Sequence, residues 1–408
     1  MSLSIAMLSV HTSPLDRPGY TKDAGGMNVY IRELARELGQ SRVSVDIFTR
    51  CTNEQMPRIV QISPRVRVIH VKAGPVAAVH KNALYDYLPA FAQHVDQFRR
   101  AEGKTYDLLH SHYWLSGVAA MQLAAQWDIP HVTMFHTLAR LKQLAHPNEP
   151  EPPLRLRMEQ RIIQRADGII APTADESTQL IRLCGALPGQ LHVIPCGVDL
   201  RRFAPRDRRQ ARAALGLAPD RPVLLFAGRL DPFKGPDILL RAAALMEEDA
   251  EIVLVGGKLQ QDHDLEQLRQ QAADLQIEQR VHFLGAQPRE AMPSIYSAAA
   301  VTVVPSYHES FGLVAVESLA CGTPVIATRA GGLTTVVRHG ETGYLVPRCP
   351  GFFAERLDAL LRDRDSWQRM SRAARPSVLQ YSWSSVAAQV HEVYEELIEE
   401  WEEIPVNY

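Results

Sequence analysis

The chain has 408 residues, 46% hydrophobic and 22% charged, with 44 Lys and Arg against 46 Asp and Glu and a formal charge of -2. That length and balance predict an ordinary globular protein of roughly two to three domains, and they supply no charge excess for nucleic acid or an anionic membrane surface. Five scattered cysteines (Cys51, Cys184, Cys196, Cys321, Cys349) include no C-x-x-C pair, which argues against a disulfide framework and against a zinc site.

Residues 1–10 lack a basic leader and turn polar by His11, so they read as a first strand and not as a signal peptide. No apolar run reaches the roughly 18 residues that a membrane helix needs, and a cytoplasmic protein is expected. β-rich runs at 4–10, 43–49, 66–71, 108–110, 132–135 and 168–172 alternate with longer helical patterns. This rhythm predicts a parallel sheet covered by helices on both faces. The first helix is predicted over 27–38, with Met27, Ile31, Leu34 and Leu38 on one stripe and Gly39 as its stop.

The connection into that helix is long, from His11 to Asn28. Its paired Gly25 and Gly26 would let backbone N–H groups approach a phosphate closely. The string is neither G-x-G-x-x-G nor a Walker loop, and taken alone it reads as a tight turn. Two further motifs follow strands: His110-Ser-His-Tyr-Trp-Leu-Ser-Gly117 and Phe135-His136-Thr137. Ligands of open α/β sheets bind beyond the carboxyl ends of strands, although histidines also cap strands for purely structural reasons. His136-Thr137 precedes a basic helix carrying Arg155, Arg157 and Arg161. Lys81 with Arg155 or Arg157 could bind an acceptor phosphate, or the arginines could form a solvated helix face.

Near 195–199 the pattern gives way to an Arg-rich segment ending at Arg221, and a domain boundary is expected there. A second sheet is predicted from runs at 222–228, 252–255, 281–283, 301–304 and 324–327. Arg229 and Lys234, just past the first of these, could neutralise a diphosphate, the Arg by bidentate contact and the Lys as a point charge; otherwise they are exposed loop residues. The run 308–317, His-Glu-Ser-Phe-Gly-Leu-Val-Ala-Val-Glu, follows a β-branched stretch and opens a helical pattern. A helix starting near Gly312 would aim free N–H groups at an anion, and Glu317 about a turn and a half further on could accept from ligand hydroxyls. Gly331-Gly332 and the turn 340–343 read as loop punctuation, and Asp262-His-Asp264 as a solvated loop without a metal. The stretch 382–401 reads as an acidic amphipathic helix that packs across the molecule.

Together these elements resemble the family-4 retaining glycosyltransferases of the GT-B fold over nearly the whole chain. The most specific part is the Glu309–Glu317 pair, supported by Gly-Arg-Leu-x-x-x-Lys from Gly228 to Lys234. Within the family, the stretches around His11, Gly25-Gly26 and His110 look closest to inositol-phosphate N-acetylglucosaminyltransferases of mycothiol synthesis, and sucrose-phosphate synthases are similar. The resemblance implies an α/β chain of two Rossmann-like domains facing across a cleft. Residues 1–198 would hold the acceptor, 199–381 the nucleotide sugar, and a helix in 382–408 would cross back onto the first domain.

Carried over position by position, it implies that Arg229 and Lys234 bind the donor diphosphate and Glu317 the ribose. Glu309 would lie beside the donor sugar, with Gly312, Leu313 and Val314 giving backbone N–H groups. Gly25 and Gly26 would close on the phosphates, and His136 would contact the donor sugar near the reaction centre. His136, Glu309, Arg229 and Lys234 form the implied catalytic set. Asn28, Lys81, Tyr113, Thr137, Arg155 and Arg157 are the implied acceptor positions. The implied reaction moves a hexosyl group from UDP-glucose or UDP-N-acetylglucosamine, with retained configuration, to inositol phosphate or fructose 6-phosphate. It uses no cofactor or metal, and a homodimer is compatible with the family. Two other classes are a UDP-sugar epimerase, for which the basic acceptor set would have no purpose, and a catalytically silent nucleotide-sugar-binding protein.

Overall fold

The computed structural model describes residues 3–16, 25–259 and 262–403. They form two compact units, one of 3–16, 26–195 and 383–403 and the other built on 196–382. The chain thus passes between units at Pro195/Cys196 and again at Ser382/Trp383.

In the first unit, strands β1 (Ser4–Leu8), β2 (Ser44–Arg50), β3 (Ile59–Ser63), β4 (Val66–Val71), β5 (Leu108–His112), β6 (His131–Met134), β7 (Gly168–Ala171) and β8 (Leu191–Val193) lie in the order β3-β4-β2-β1-β5-β6-β7-β8. β1, β5, β6 and β7 are almost wholly buried, as expected of central parallel strands covered on both faces. β3 is the antiparallel edge, largely open to solvent. Neither β3 nor the three-residue β8 was expected, since an edge strand with one wet face needs no apolar run. Helices α1 (Gly26–Gln40), α2 (Leu88–Ala101), α3 (Trp114–Trp127), α4 (Ala139–Ala145), α5 (Pro153–Ile163) and α6 (Ala174–Cys184) connect the strands. α1 continues through Gly39, and it buries Asn28, Tyr30 and Glu33 besides Ile31, Leu34 and Leu38 of the predicted stripe, whose Met27 is only partly buried.

The second unit repeats the plan. Strands β9 (Val223–Ala227), β10 (Glu251–Val255), β11 (Val281–Gly285), β12 (Val301–Val304), β13 (Val325–Thr328) and β14 (Gly343–Val346) form a parallel sheet in the order β11-β10-β9-β12-β13-β14. It carries α7 (Arg208–Ala214), α8 (Pro236–Leu245), α9 (His263–Asp274), α10 (Met292–Ala298), α11 (Leu313–Ala320), α12 (Leu333–Val336), α13 (Pro350–Arg362) and α14 (Arg364–Ala374). The expected solvated loop at 262–264 is instead the start of α9. Asp262 is its N-cap and accepts from the N–H groups of Asp264 and Leu265, the usual use of an Asp before a helix.

The last helix, α15 (Trp383–Glu403), belongs to the first unit and packs on α1. Its Val386, Val390, Val393, Tyr394 and Leu397 face inward while its glutamates face out, so the amphipathic reading of the sequence is realised in this packing. Each unit has an apolar core among its described residues. In each sheet the strand order reverses about one strand: β1 lies between β2 and β5, and β9 between β10 and β12. Loops leaving the two central strands diverge there and open a crevice at their carboxyl ends.

Candidate functional site

At the β9/β12 crevice of the second unit, two loops are tied to each other. The Tyr307 N–H donates to Phe233 O at 2.9 Å. Arg348 donates to Pro305 O and Pro232 O, both at 2.9 Å, with its guanidinium 3.5 Å from the centre of the Tyr307 ring. The β9 loop carries Arg229 and Lys234. Asp231 organises both, accepting from Arg229 Nε at 3.0 Å and from the Lys234 backbone N–H at 3.2 Å. The β12 loop carries Glu309, whose Oε1 accepts from Lys234 Nζ and from Ser306 Oγ, each at 2.7 Å. Burial alone would raise the Glu309 carboxyl, but Lys234, Ser306 and His308 outweigh it and hold the group below its ordinary value.

Gly312 caps α11 in the left-handed region at φ 98°, and Leu313 and Val314 open the first turn, partly exposed. First-turn N–H groups have no partner within a helix, and the helix dipole adds positive potential there. Glu317, in the second turn, accepts from Arg289 Nη2 at 3.1 Å and from Tyr296 OH at 3.0 Å. Arg289 is nearly buried, and its Nε and Nη1 have no hydrogen-bond partner among the described residues.

Gly331-Gly332, expected to be loop punctuation, instead braces this site. The Gly332 N–H donates to Glu309 O at 2.7 Å. A Cβ on Gly332 would meet Phe311 Cα and Ser310 O at 2.5 Å, so only glycine lets these backbones come so close. Asp231 falls on an unassigned position of the Gly228–Lys234 string, and Ser306, Tyr296 and Arg289 sit in stretches without a motif. All four reach the site only through folding.

In the first unit, the β1/β5 crevice gathers histidines. His112 Nδ1 lies 3.0 Å from His136 Nε2, and His110 Nδ1 lies 2.7 Å from Tyr394 OH on α15. The Tyr30 ring stands edge-on to His136 at 5.2 Å and to Trp383 at 5.6 Å. Burial keeps all of these imidazoles neutral, His136 and His131 down to about 3 and His110 and His112 well below their ordinary value. His136 and Tyr113 both have positive φ, 58° and 75°, a backbone that costs energy in non-glycine residues and clusters at functional sites.

Asn28 is buried and donates to Thr12 Oγ1 and Ser13 O, both at 2.6 Å, locking the 11–16 loop to the start of α1. Gly26 opens α1 on its exposed side, and a Cβ on Gly25 would meet nothing within 4 Å. Lys81 begins a short 3-10 turn, partly exposed. Arg155 is 3% exposed, with its guanidinium fully engaged: Nε to Glu159 at 2.7 Å, Nη1 to Glu151 at 2.8 Å and Nη2 to Thr137 O at 2.5 Å, over the Tyr113 ring. Arg157, two residues on, is exposed. Arg155 therefore braces Thr137 and Tyr113 from behind, whereas Arg157 faces solvent. Among the described residues, no helix is long and apolar enough to cross a membrane.

Two parallel-sheet α/β units, each with its polar side chains collected beyond the strand ends of a reversal point, define the architecture of GT-B glycosyltransferases. Residues 24–202 match Glycosyltransferase Family 4 and residues 207–376 match Glycosyl transferases group 1. The D-inositol 3-phosphate glycosyltransferase of Nocardiopsis dassonvillei is 44% identical, over 96% of this chain and 94% of its own. That of Nocardia farcinica is 45% identical, over 96% and 88%. A solved structure of sucrose-phosphate synthase from Thermosynechococcus elongatus is 35% identical with a TM-score of 0.91, covering 98% of this chain and 100% of that one. The chain belongs to the family-4 glycosyltransferases.

Proposed function

We propose that the chain is a retaining, UDP-sugar-dependent glycosyltransferase that moves a hexosyl group to a small phosphorylated acceptor. The observation that carries this reading is the Lys234–Glu309 pair at the strand reversal of the second unit, beside the open first turn of α11. Lys234 and Arg229 supply positive charge for a leaving diphosphate, and the Leu313 and Val314 N–H groups add donors. Glu317, held by Arg289 and Tyr296, is a fixed acceptor for ribose hydroxyls. Glu309 lies beside the donor sugar. No metal or cofactor enters this reading, because the cationic side chains do the work of charge neutralisation. His136 works at the reacting sugar, Tyr113, Thr137, Lys81 and Arg157 form the acceptor side, and a cytoplasmic location fits substrates of this kind.

The relatives named for D-inositol 3-phosphate favour inositol phosphate as the acceptor. The likeness to sucrose-phosphate synthase favours a second reading, fructose 6-phosphate. Specificity between two sugar phosphates turns on a few contacts. The test is UDP release from UDP-glucose and UDP-N-acetylglucosamine, each with D-inositol 3-phosphate or fructose 6-phosphate and without acceptor. Release only with UDP-N-acetylglucosamine and D-inositol 3-phosphate supports the first acceptor, and release only with UDP-glucose and fructose 6-phosphate supports the second. Conversion of UDP-sugar without an acceptor points to an epimerase, and binding without any turnover to a silent binding protein.

A further inference from the structure

We propose that His112 is a positioning residue that fixes the tautomer of His136, donating its own Nδ1–H to His136 Nε2 and so keeping the His136 proton on Nδ1. The inference rests on the reading above, in which His136 works at the reacting sugar.

The two nitrogens lie 3.0 Å apart with the rings tilted by 40°. Both imidazoles are neutral, so one hydrogen is shared between two ring nitrogens and only two arrangements exist. In one, His112 Nδ1–H donates to His136 Nε2. In the other, His136 Nε2–H donates, and the proton of His112 must sit on its Nε2. The second is costly, because His112 is 0% exposed and its Nε2 is buried with no partner among the described residues. An N–H orphaned in that way loses its solvation with nothing in return, while a bare lone pair is tolerated more readily. The first arrangement wins.

His110 does not disturb it. Its ring lies 4.2 Å from that of His112, tilted by 40°, but its Nδ1 is engaged by Tyr394 OH and its Nε2 is likewise buried without a partner among the described residues. By the same argument its proton is on Nδ1, pointed at Tyr394 and not at His112. Each histidine of β5 therefore has one assigned direction. The consequence for His136 is chemical: its Nδ1 is a hydrogen-bond donor and not a base. It can donate to an oxygen of the sugar but cannot remove a proton from the acceptor hydroxyl through that atom. The strained backbone of His136 and the edge-on Tyr30 ring hold the imidazole where His112 can set it.

The test uses the full chain with 15N-labelled histidine, the His136 signals being assigned by their loss in His136→Gln. Ring 15N shifts distinguish the two neutral tautomers directly. His112→Asn keeps an N–H close to the position of Nδ1, and His112→Leu removes it. We expect the Nδ1–H form of His136 in the unmodified chain and in His112→Asn, with kcat within about threefold of each other. In His112→Leu we expect that form to be lost and kcat to fall roughly ten- to a hundred-fold with little change in donor KM, the usual scale when the second partner of an oriented histidine is removed. An Nε2–H form of His136 in the unmodified chain overturns the proposal, as does an equal loss of kcat in the Asn and Leu variants. If no acceptor supports transfer, the functional reading fails, while the tautomer signals still decide the role of His112. If the Leu variant does not fold, the unmodified chain and His112→Asn decide it.

Discussion

Lys234 and Glu309, 75 positions apart in the chain, meet at 2.7 Å where the strand order of the second sheet reverses. The pair sets a cation beside a carboxylate that Ser306 also holds, so both charges are in place before any ligand arrives. Such preorganisation costs no rearrangement when charge develops on a leaving group.

Lys234→Ala is expected to lower UDP release by about a hundred-fold or more, the scale seen when one charge-stabilising donor is removed. Glu309→Gln removes the negative charge but keeps the shape. It should lower kcat while the protein stays folded at neutral pH. Because the Glu309 carboxyl titrates lower in the folded chain than its ordinary 4.5, its contribution to stability is complete above about that pH and is lost as pH falls through the lowered folded value. Steady-state assays with both variants check this, and full turnover in Lys234→Ala would remove Lys234 from the donor site.

Arg289 holds Glu317 from a loop that carries no motif. Arg289→Ala should leave Glu317 without its ion pair, raise the donor KM by roughly tenfold and leave the acceptor KM alone, as lost ground-state binding does. Arg289→Lys should recover only part, since a point charge replaces a planar fork. A donor KM that does not move in Arg289→Ala would mean that Glu317 is held well enough by Tyr296 alone.

Arg155 and Arg157 separate stability from binding. Arg155→Ala leaves Glu159 and Glu151 around a vacant buried position and should cost about 3–5 kcal/mol of unfolding free energy. Arg157→Ala, on an exposed face, should change stability by less than about 0.5 kcal/mol and act, if at all, on the acceptor KM. Urea unfolding of both variants, with acceptor titrations, checks the division. Comparable stability in the two variants would contradict it.

Acid should unfold the first unit through its neutral histidines. His131 is 1% exposed and titrates at about 3 when folded against 6.5 ordinarily, so the unfolded chain binds more protons between those values and stability falls as pH falls from 6.5 towards 3. One such histidine costs about 2 kcal/mol at pH 5 relative to neutral pH, and His110 and His112 act in the same direction. Urea midpoints measured from pH 7.5 to 5 should drop steeply. His131→Gln should flatten the slope, and a midpoint independent of pH in that range would contradict the argument.

Local pattern carried much of this. The strands β9, β10, β12 and β13 are short, mainly apolar runs, α15 shows its amphipathic stripe in 382–401, and the start of α11 at Gly312 was readable from composition and spacing. The charged residues that the crevice of the second unit collects, Arg229, Lys234, Glu309 and Glu317, were also visible, because each lies in a recognisable string that follows a strand. What could not be read there depends on distant parts of the chain meeting. Gly331-Gly332 is punctuation until Phe311 lies 2.5 Å from where a Cβ would go, and Arg289 is an ordinary loop residue until Glu317 turns towards it. Arg155 and Arg157 share one basic helix, and only packing against Tyr113, Thr137 and Glu159 buries one and leaves the other in water. The direction of the His112–His136 hydrogen bond is the furthest from the sequence. It follows from which ring nitrogens are cut off from solvent, and burial is a property of the assembled fold and not of any segment.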